Sequence, residues 1–199
     1  MGQRVLRDTA PRLAMTSAPS DSMLLAAADF LGRRPNATYD EIAKAAGVSR
    51  ATLHRYFPRR EDLLKALVRN AAKKMKEALI TADLDKGDCT SAVRRLVAAS
   101  VEHAPYLALL YTLSQDDLPA SEYPIWEQID QAVTELFERG QSSGEFTTRL
   151  TAPWMAEALF SLVAGAVWAV RSGRCAQRDF AHMVTQMVLS GAGNQREST

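Results

Sequence analysis

From Leu24 to Val188 apolar residues recur at spacings of three and four, and no stretch alternates convincingly between apolar and polar. A spacing near 3.6 buries one face of an α-helix, whereas a half-buried strand needs a period of two. The pattern predicts an all-α chain, which Gly, Pro and Asn positions divide into nine helices. The first is expected over residues 22–33, capped by Asp21 or Ser22, with Leu24, Ala27, Ala28 and Leu31 facing inward. Two short segments follow, one after Thr38 and one from Ser49 to about Tyr56, and a long one covers 60–82. Five more are expected: about 91–102, from Pro105, around Trp126 to Phe137, from beyond Pro153 to Arg171, and about 178–190. "RGQSSGEFTTRL" reads as a long polar loop before the last two.

The formal net charge is only +1, but it is unevenly spread. Residues 1–76 hold 15 Lys and Arg against 7 Asp and Glu, a net of +8, and residues 77–199 hold 9 against 16, a net of −7. Such asymmetry points to an anionic partner at the basic end, and solvated helix faces are its bland alternative. Cys89 and Cys175 fit no disulfide scaffold or metal spacing and suit a reducing cytoplasm. Residues 1–20 lack the apolar stretch of a signal peptide and read as a basic arm; residues 192–199 read as a loose tail.

"TYDEIAKAAGVSRATLHRYF" carries the functional signal. Thr38 and Glu41 have capping-box spacing, Ile42, Ala43 and Ala46 form one apolar side, and Gly47 supplies a residue free to take positive φ. Ser49 caps the next helix, and Pro58 stops it. Two short helices joined by a tight glycine turn form a helix-turn-helix, whose second helix fits the DNA major groove. A helix seated against base edges needs a small residue where it lies deepest, here Ala51, and short polar or basic groups around it, here Ser49, Arg50 and Thr52. Tyr56 can donate to the phosphate backbone, Arg59 and Arg60 can neutralise phosphates, and Leu53 and Phe57 face inward.

The segment "TYDEIAKAAGVSRATLHRYFPRREDLLKAL" resembles the N-terminal domain of the tetracycline-repressor (TetR) family of transcriptional regulators. The family pattern is matched at Ile42-Ala43, Ala46-Gly47-Val48-Ser49, Thr52-Leu53, Tyr56-Phe57, Glu61 and Leu63, over about residues 22–70. The resemblance implies DNA contacts from Thr38, Ser49, Arg50, Ala51, Thr52, Tyr56 and Arg60. His54 stands where the family usually has tyrosine, and is either a phosphate contact or a half-exposed packing residue. Arg60 replaces the usual lysine, which keeps the charge and changes the donor geometry. The implied architecture is a three-helix DNA-binding domain at 21–68 and a ligand-binding and dimerisation domain at 69–191.

In the second half, residues 154–170 carry a single charge, Glu157. The stretch is at the short limit for a membrane span, and its glutamate and polar flanks favour a helix buried on more than one side, with no membrane partner. Paired with the next helix it suits a four-helix homodimer interface, built from Leu159, Leu162, Val163, Ala166, Val170, Phe180, Met183, Val184 and Met187. Burial inside one monomeric core is the alternative. His103, Tyr106, Leu110, Tyr111, Trp126, Met155, Phe160 and Trp168 are candidates to line an effector pocket, and ordinary core packing also accounts for them. Glu102, Asp116, Asp117 and the acidic balance make a lipophilic cation conceivable. No catalytic motif, metal spacing or cofactor loop is present, so the expectation is a non-enzymatic regulator of operator DNA, released by a small, largely apolar effector. A helical protein-interaction module and an activator of the same fold are the rival readings.

Overall fold

In the computed structural model, which describes residues 18–113, 121 and 123–193, four helices open where a side chain takes up a free N–H group of the first turn. α1 (Asp21–Arg33) is capped by Ser20, just before the expected pair, whose Oγ accepts the Met23 N–H at 3.2 Å. α2 (Tyr39–Ala45) opens on a complete capping box: Thr38 Oγ1 accepts the Glu41 N–H at 3.4 Å and the Glu41 carboxylate accepts the Thr38 N–H at 2.8 Å. α3 (Arg50–Tyr56) and α4 (Arg60–Ala82) follow as expected. Asp88 accepts the Ser91 N–H at 2.7 Å, so α5 (Cys89–Ser100) begins earlier than expected; it closes in a 3₁₀ turn over Val101–His103. α6 (Ala104–Leu110) carries Pro105 in its first turn, where a missing N–H costs nothing. α7 (Tyr123–Ser142), α8 (Ala152–Arg171) and α9 (Phe180–Ala192) complete nine α-helices among the described residues. The expected arm and tail fall mostly outside those residues, as do Asp116 and Asp117.

The expected polar loop is shorter than its composition suggests. α7 runs on through Ser142, and Gly140 lies inside its last turns. A glycine there weakens a helix by about 1 kcal/mol relative to alanine, yet the bare Cα makes room for Phe146, which is 1% exposed and packs on Phe137 with ring centroids 5.4 Å apart. The loop is tied down on both sides. Thr147 N–H donates to the Ala192 carbonyl at 2.7 Å at the end of α9. The Glu145 carboxylate accepts the Cys89 and Thr90 N–H groups at 3.2 and 3.0 Å, at the start of α5. Burial raises the Glu145 carboxyl, but those donors outweigh it and hold the group below its ordinary range.

Apolar faces gather in two clusters. One joins Leu24, Ala27 and Leu31 of α1 to Ile42, Leu53, Phe57, Leu63 and Leu67. The other joins α5, α7, α8 and α9 around Leu96, Phe137, Leu159 and Val163. α4 runs through both, with Leu67 in the first and Met75 in the second, and α6 places Tyr106 and Leu109 in the first and Leu107 in the second. α8 is long and apolar enough to cross a membrane by length and composition. In the fold it packs on α6, α7 and α9 and buries Met155, Leu159, Phe160, Val163 and Val167, the arrangement of a central core helix.

A Cβ on Gly140 would stand 2.1 Å from the Phe146 ring, which is buried and packed on Phe137. Gly140→Ala is therefore expected to destabilise by about 1–3 kcal/mol despite its better helix propensity. Thermal or urea unfolding reads this directly, and unchanged or raised stability would refute the packing account.

Candidate nucleic-acid interface and adjoining cavity

Helices of seven residues, the length of α2 and α3, do not persist alone. Their geometry is imposed by the turn between them and by the core beneath. Gly47 has φ +70°, and the turn is a Schellman motif: Val48 N–H donates to the Ala43 carbonyl at 3.0 Å and Gly47 N–H to the Lys44 carbonyl at 3.2 Å. Ser49 Oγ then accepts the Thr52 N–H at 3.1 Å and shares a hydrogen bond with Thr52 Oγ1 at 2.9 Å. Leu53 is fully buried and Phe57 nearly so, which fixes α3 on the core. Tyr39 ties the start of α2 to the end of α3, its hydroxyl donating to the Phe57 carbonyl at 3.0 Å.

The opposite face of α3 is open. Ser49, Arg50, Ala51 and His54 are exposed, Thr52 and Tyr56 are half-buried, and Thr38 is exposed at the start of α2. Arg50 reaches Asp40 Oδ2 at 3.3 Å, so the first turns of the two helices lie within one side chain's reach. The structure thus brings together seven of the eight residues expected at the interface. His54 stands over Tyr39, ring centroids 5.9 Å apart, with its edge free to solvent.

Arg60 is different. Its guanidinium donates to the Ala37 carbonyl at 2.7 Å and to the Pro35 carbonyl. It braces the loop between α1 and α2 onto α4 instead of standing as the free phosphate-binding cation expected there. A lysine has one nitrogen and lacks the fork that spans two carbonyls. Arg59 points outward and pairs with Asp62 at 2.9 Å; the pairing holds the Asp62 carboxyl below its ordinary range. Two residues escaped the sequence reading. Arg55 is exposed four residues after Ala51, and that helical spacing was a sufficient signal. Tyr39 acts through a partner 18 positions away, which no local pattern reveals.

A second feature lies between α6, α7 and α8. A cavity of about 360 Å³ is lined by Leu107, Leu110, Tyr111, Trp126, Ile129 and Phe160, together with Glu127, Asp130 and Glu157. Four of the expected pocket residues are here: Leu110, Tyr111, Trp126 and Phe160. The other four are elsewhere. Tyr106 faces the first core cluster, with its hydroxyl accepting from Asn70 Nδ2 at 2.7 Å. His103 is half-buried near Lys74 and Asp21, and burial followed by the Lys74 charge lowers its imidazole. Met155 is buried toward α9, and Trp168 is 51% exposed, about three turns beyond Glu157 on α8. In the cavity Tyr111 donates to Glu157 Oε1 at 2.7 Å, and Ser161 Oγ lies 3.0 Å from Tyr111 Oη and 3.1 Å from Glu157 Oε1. Burial above all pushes the Tyr111 phenol up to about 12. Burial, then the Glu157 charge, raises the Asp130 carboxyl.

The expected dimer residues also divide. Leu159, Val163, Phe180 and Val184 are buried within the single chain, because α8 and α9 use those faces against α5, α6 and α7. Leu162, Ala166 and Val170 are half-buried, and Met183 and Met187 are 52% and 62% exposed. Trp154, which the sequence reading passed over, is 59% exposed beside them in a shallow groove with Leu162 and Met187.

Comparison with known proteins agrees with this geometry. Residues 24–67 match the family model described as bacterial regulatory proteins, tetR family. The HTH-type transcriptional regulator NfxB of Pseudomonas aeruginosa is 35% identical over 167 residues, covering 83% of this chain and 89% of that protein. The chain belongs to the tetR family. It is accordingly a helix-turn-helix transcriptional regulator and not an enzyme. The HTH-type transcriptional repressor LfrR of Mycolicibacterium smegmatis is 34% identical over 124 residues, 61% of this chain and 64% of that protein. The crystal structure of LfrR in complex with proflavine matches with a TM-score of 0.63 at 27% identity, covering 85% of this chain and 93% of the other. In this tetR-family regulator, the part matched by the family model is α1 through the first turns of α4, which carries the whole open face of α3.

Ser49→Ala removes the cap of α3 and should cost about 1 kcal/mol in thermal unfolding, with weaker DNA binding. Arg55→Ala should leave unfolding unchanged and weaken binding about equally on all operator variants, reducing the slope of log affinity against log salt by about 1. Fluorescence anisotropy across a salt series separates the two effects; a sequence-dependent loss for Arg55→Ala would make it a base reader instead.

Proposed function

We propose that this regulator is a cytoplasmic, homodimeric repressor that occupies a near-palindromic operator and leaves it when a small, largely apolar effector fills the cavity between α6, α7 and α8. The observation that carries this reading is the position of α6. Leu107 and Leu110 line the cavity, while Tyr106 and Leu109, on the same short helix, belong to the core beneath the helix-turn-helix. α1 crosses α6 closely at Gly32, where a Cβ would stand 3.4 Å from the Leu109 backbone nitrogen. Asp29 of α1 also forms an ion pair with Arg171 at the end of α8. Matter entering the cavity meets a helix whose other side supports the DNA-binding unit. The effector shifts the operator equilibrium to the extent that it binds the released arrangement more tightly. LfrR, named a repressor and crystallised with proflavine, supports the same reading by analogy.

A dimer supplies two recognition helices for two half-sites. The surface that supports it is the exposed apolar strip of Trp154, Met183 and Met187, with the half-buried Leu162, Ala166 and Val170 beside it. The DNA side involves Thr38, Ser49, Arg50, Ala51, Thr52, Tyr56 and Arg55, with His54 at the edge.

The test is a mobility shift on DNA flanking the protein's own gene, over a salt series and then with a panel of apolar compounds. Binding that weakens steeply with salt and is relieved by a compound is the expected result. Salt-insensitive association, or no retarded band from a dimeric preparation, would overturn it. Met187→Glu should yield a folded monomer by sedimentation and lower operator affinity by about tenfold or more.

A further inference from the structure

A second cavity, of about 290 Å³, opens between α1 and the end of α8 and shares no lining residue with the first. Asp29 of α1 lines it, together with Val101 and Pro105 on either side of the start of α6, Val167, Val170 and Arg171 of α8, and Phe180 of α9. Arg171 sets its chemistry. The side chain is 18% exposed, and burial weakens its hold on the proton, but an arginine stays charged in proteins. Nη2 meets Asp29 Oδ1, while Nη1 is buried with no hydrogen-bond partner among the described residues. A buried donor without an acceptor is costly, the more so on a charged group. Nor does Asp29 belong to Arg171 alone. Its Oδ2 accepts from Arg33 Nη2 at 2.9 Å, and its backbone carbonyl from Arg33 Nε at 3.2 Å. Two guanidiniums share one carboxylate, and the buried one keeps an open donor.

We propose that this cavity binds a small aliphatic carboxylate, held by the Arg171 guanidinium with its chain against Val101, Val167, Val170 and Phe180. A carboxylate matches the planar fork with two parallel hydrogen bonds. A cation would face Arg171, and a neutral acceptor would take up Nη1 without balancing the charge. Inorganic phosphate would surrender its hydration to a largely apolar wall and gain only the one arginine. The volume lies just below the range of roughly 300–1,000 Å³ that encloses drug-sized ligands, so the ligand is small. Two oxygens on Nη1 and Nη2 take Arg171 away from Asp29, which keeps its bond to Arg33. Occupation of the site and the ion pair between α1 and α8 therefore exclude one another, and the ligand acts on the join between the DNA-binding unit and the larger half.

The probes are hexanoate, hexanol, which has the chain without the charge, and inorganic phosphate, which has the charge without the chain. Calorimetric titration of the full chain at fixed ionic strength, without DNA, is expected to show hexanoate binding at least about tenfold tighter than either of the others. Arg171→Gln should weaken hexanoate by about tenfold or more and leave hexanol unchanged, and Arg171→Lys, which keeps the charge and loses the fork, should weaken it as well. Asp29→Asn should tighten hexanoate by about tenfold, because the competing carboxylate is gone. A residue that merely supported the cavity wall would weaken binding when altered. Thermal unfolding shows which variants keep their fold, and the Asp29→Asn result stands by itself if neither Arg171 variant does. Hexanol or phosphate binding as tightly as hexanoate would overturn the assignment. So would undiminished hexanoate binding in a folded Arg171 variant, an Asp29→Asn variant that fails to tighten it, or no hexanoate binding to the unaltered chain and to Asp29→Asn alike.

Discussion

The structure turns on one short helix that has to satisfy two cores. α6 is only seven residues long, yet Tyr106 and Leu109 complete the apolar cluster under the helix-turn-helix while Leu107 completes the cluster of the larger half. Close-packed interiors do not deform gradually. A displacement of α6 must therefore be matched on both sides, by α1 at Gly32 and by α7 and α8 around the cavity. The two halves are joined by a packed element as well as by the continuous α4, and the Asp29 to Arg171 ion pair adds a polar link across the same seam.

Electrostatics divides the labour between the halves. The basic excess of the first 76 residues is only partly available to a polyanion. Arg60 is spent on loop carbonyls, Arg59 on Asp62, Arg34 on Glu41 at 3.4 Å and Lys74 on Asp21 at 2.7 Å. What remains outward on the recognition helix is Arg50, loosely paired, and Arg55, whose guanidinium lies 5.4 Å from the Tyr56 ring centroid. The acidic excess of the second half is likewise uneven: three of its carboxylates share the cavity wall.

Local interactions were legible in the sequence and remote ones were not. Thr38, Gly47, Ser49 and Leu53 could be assigned because caps, glycine turns and inward stripes are decided within four residues of chain. α7 outran its expected end because the signal that licenses Gly140, a phenyl ring from Phe146 on its bare Cα, lies outside the helix. Tyr106 and Tyr111 look alike in sequence. One helical turn and a half separates them, and only the packing of α6 on α1 decides that the first enters a core and the second faces a cavity. The same applies to α8 and α9: apolar residues all round announce burial on several sides, but not which side is left for another subunit.

Asp130 and Glu157 sit at solvent-facing positions on helices whose stability rests on other side chains, such as Ile129, Val133, Leu159 and Val163. Changing the charge or size of such residues disturbs neither core nor recognition surface. Substitution there can therefore alter the charge and shape of the cavity wall while the core and the exposed face of α3 keep their packing.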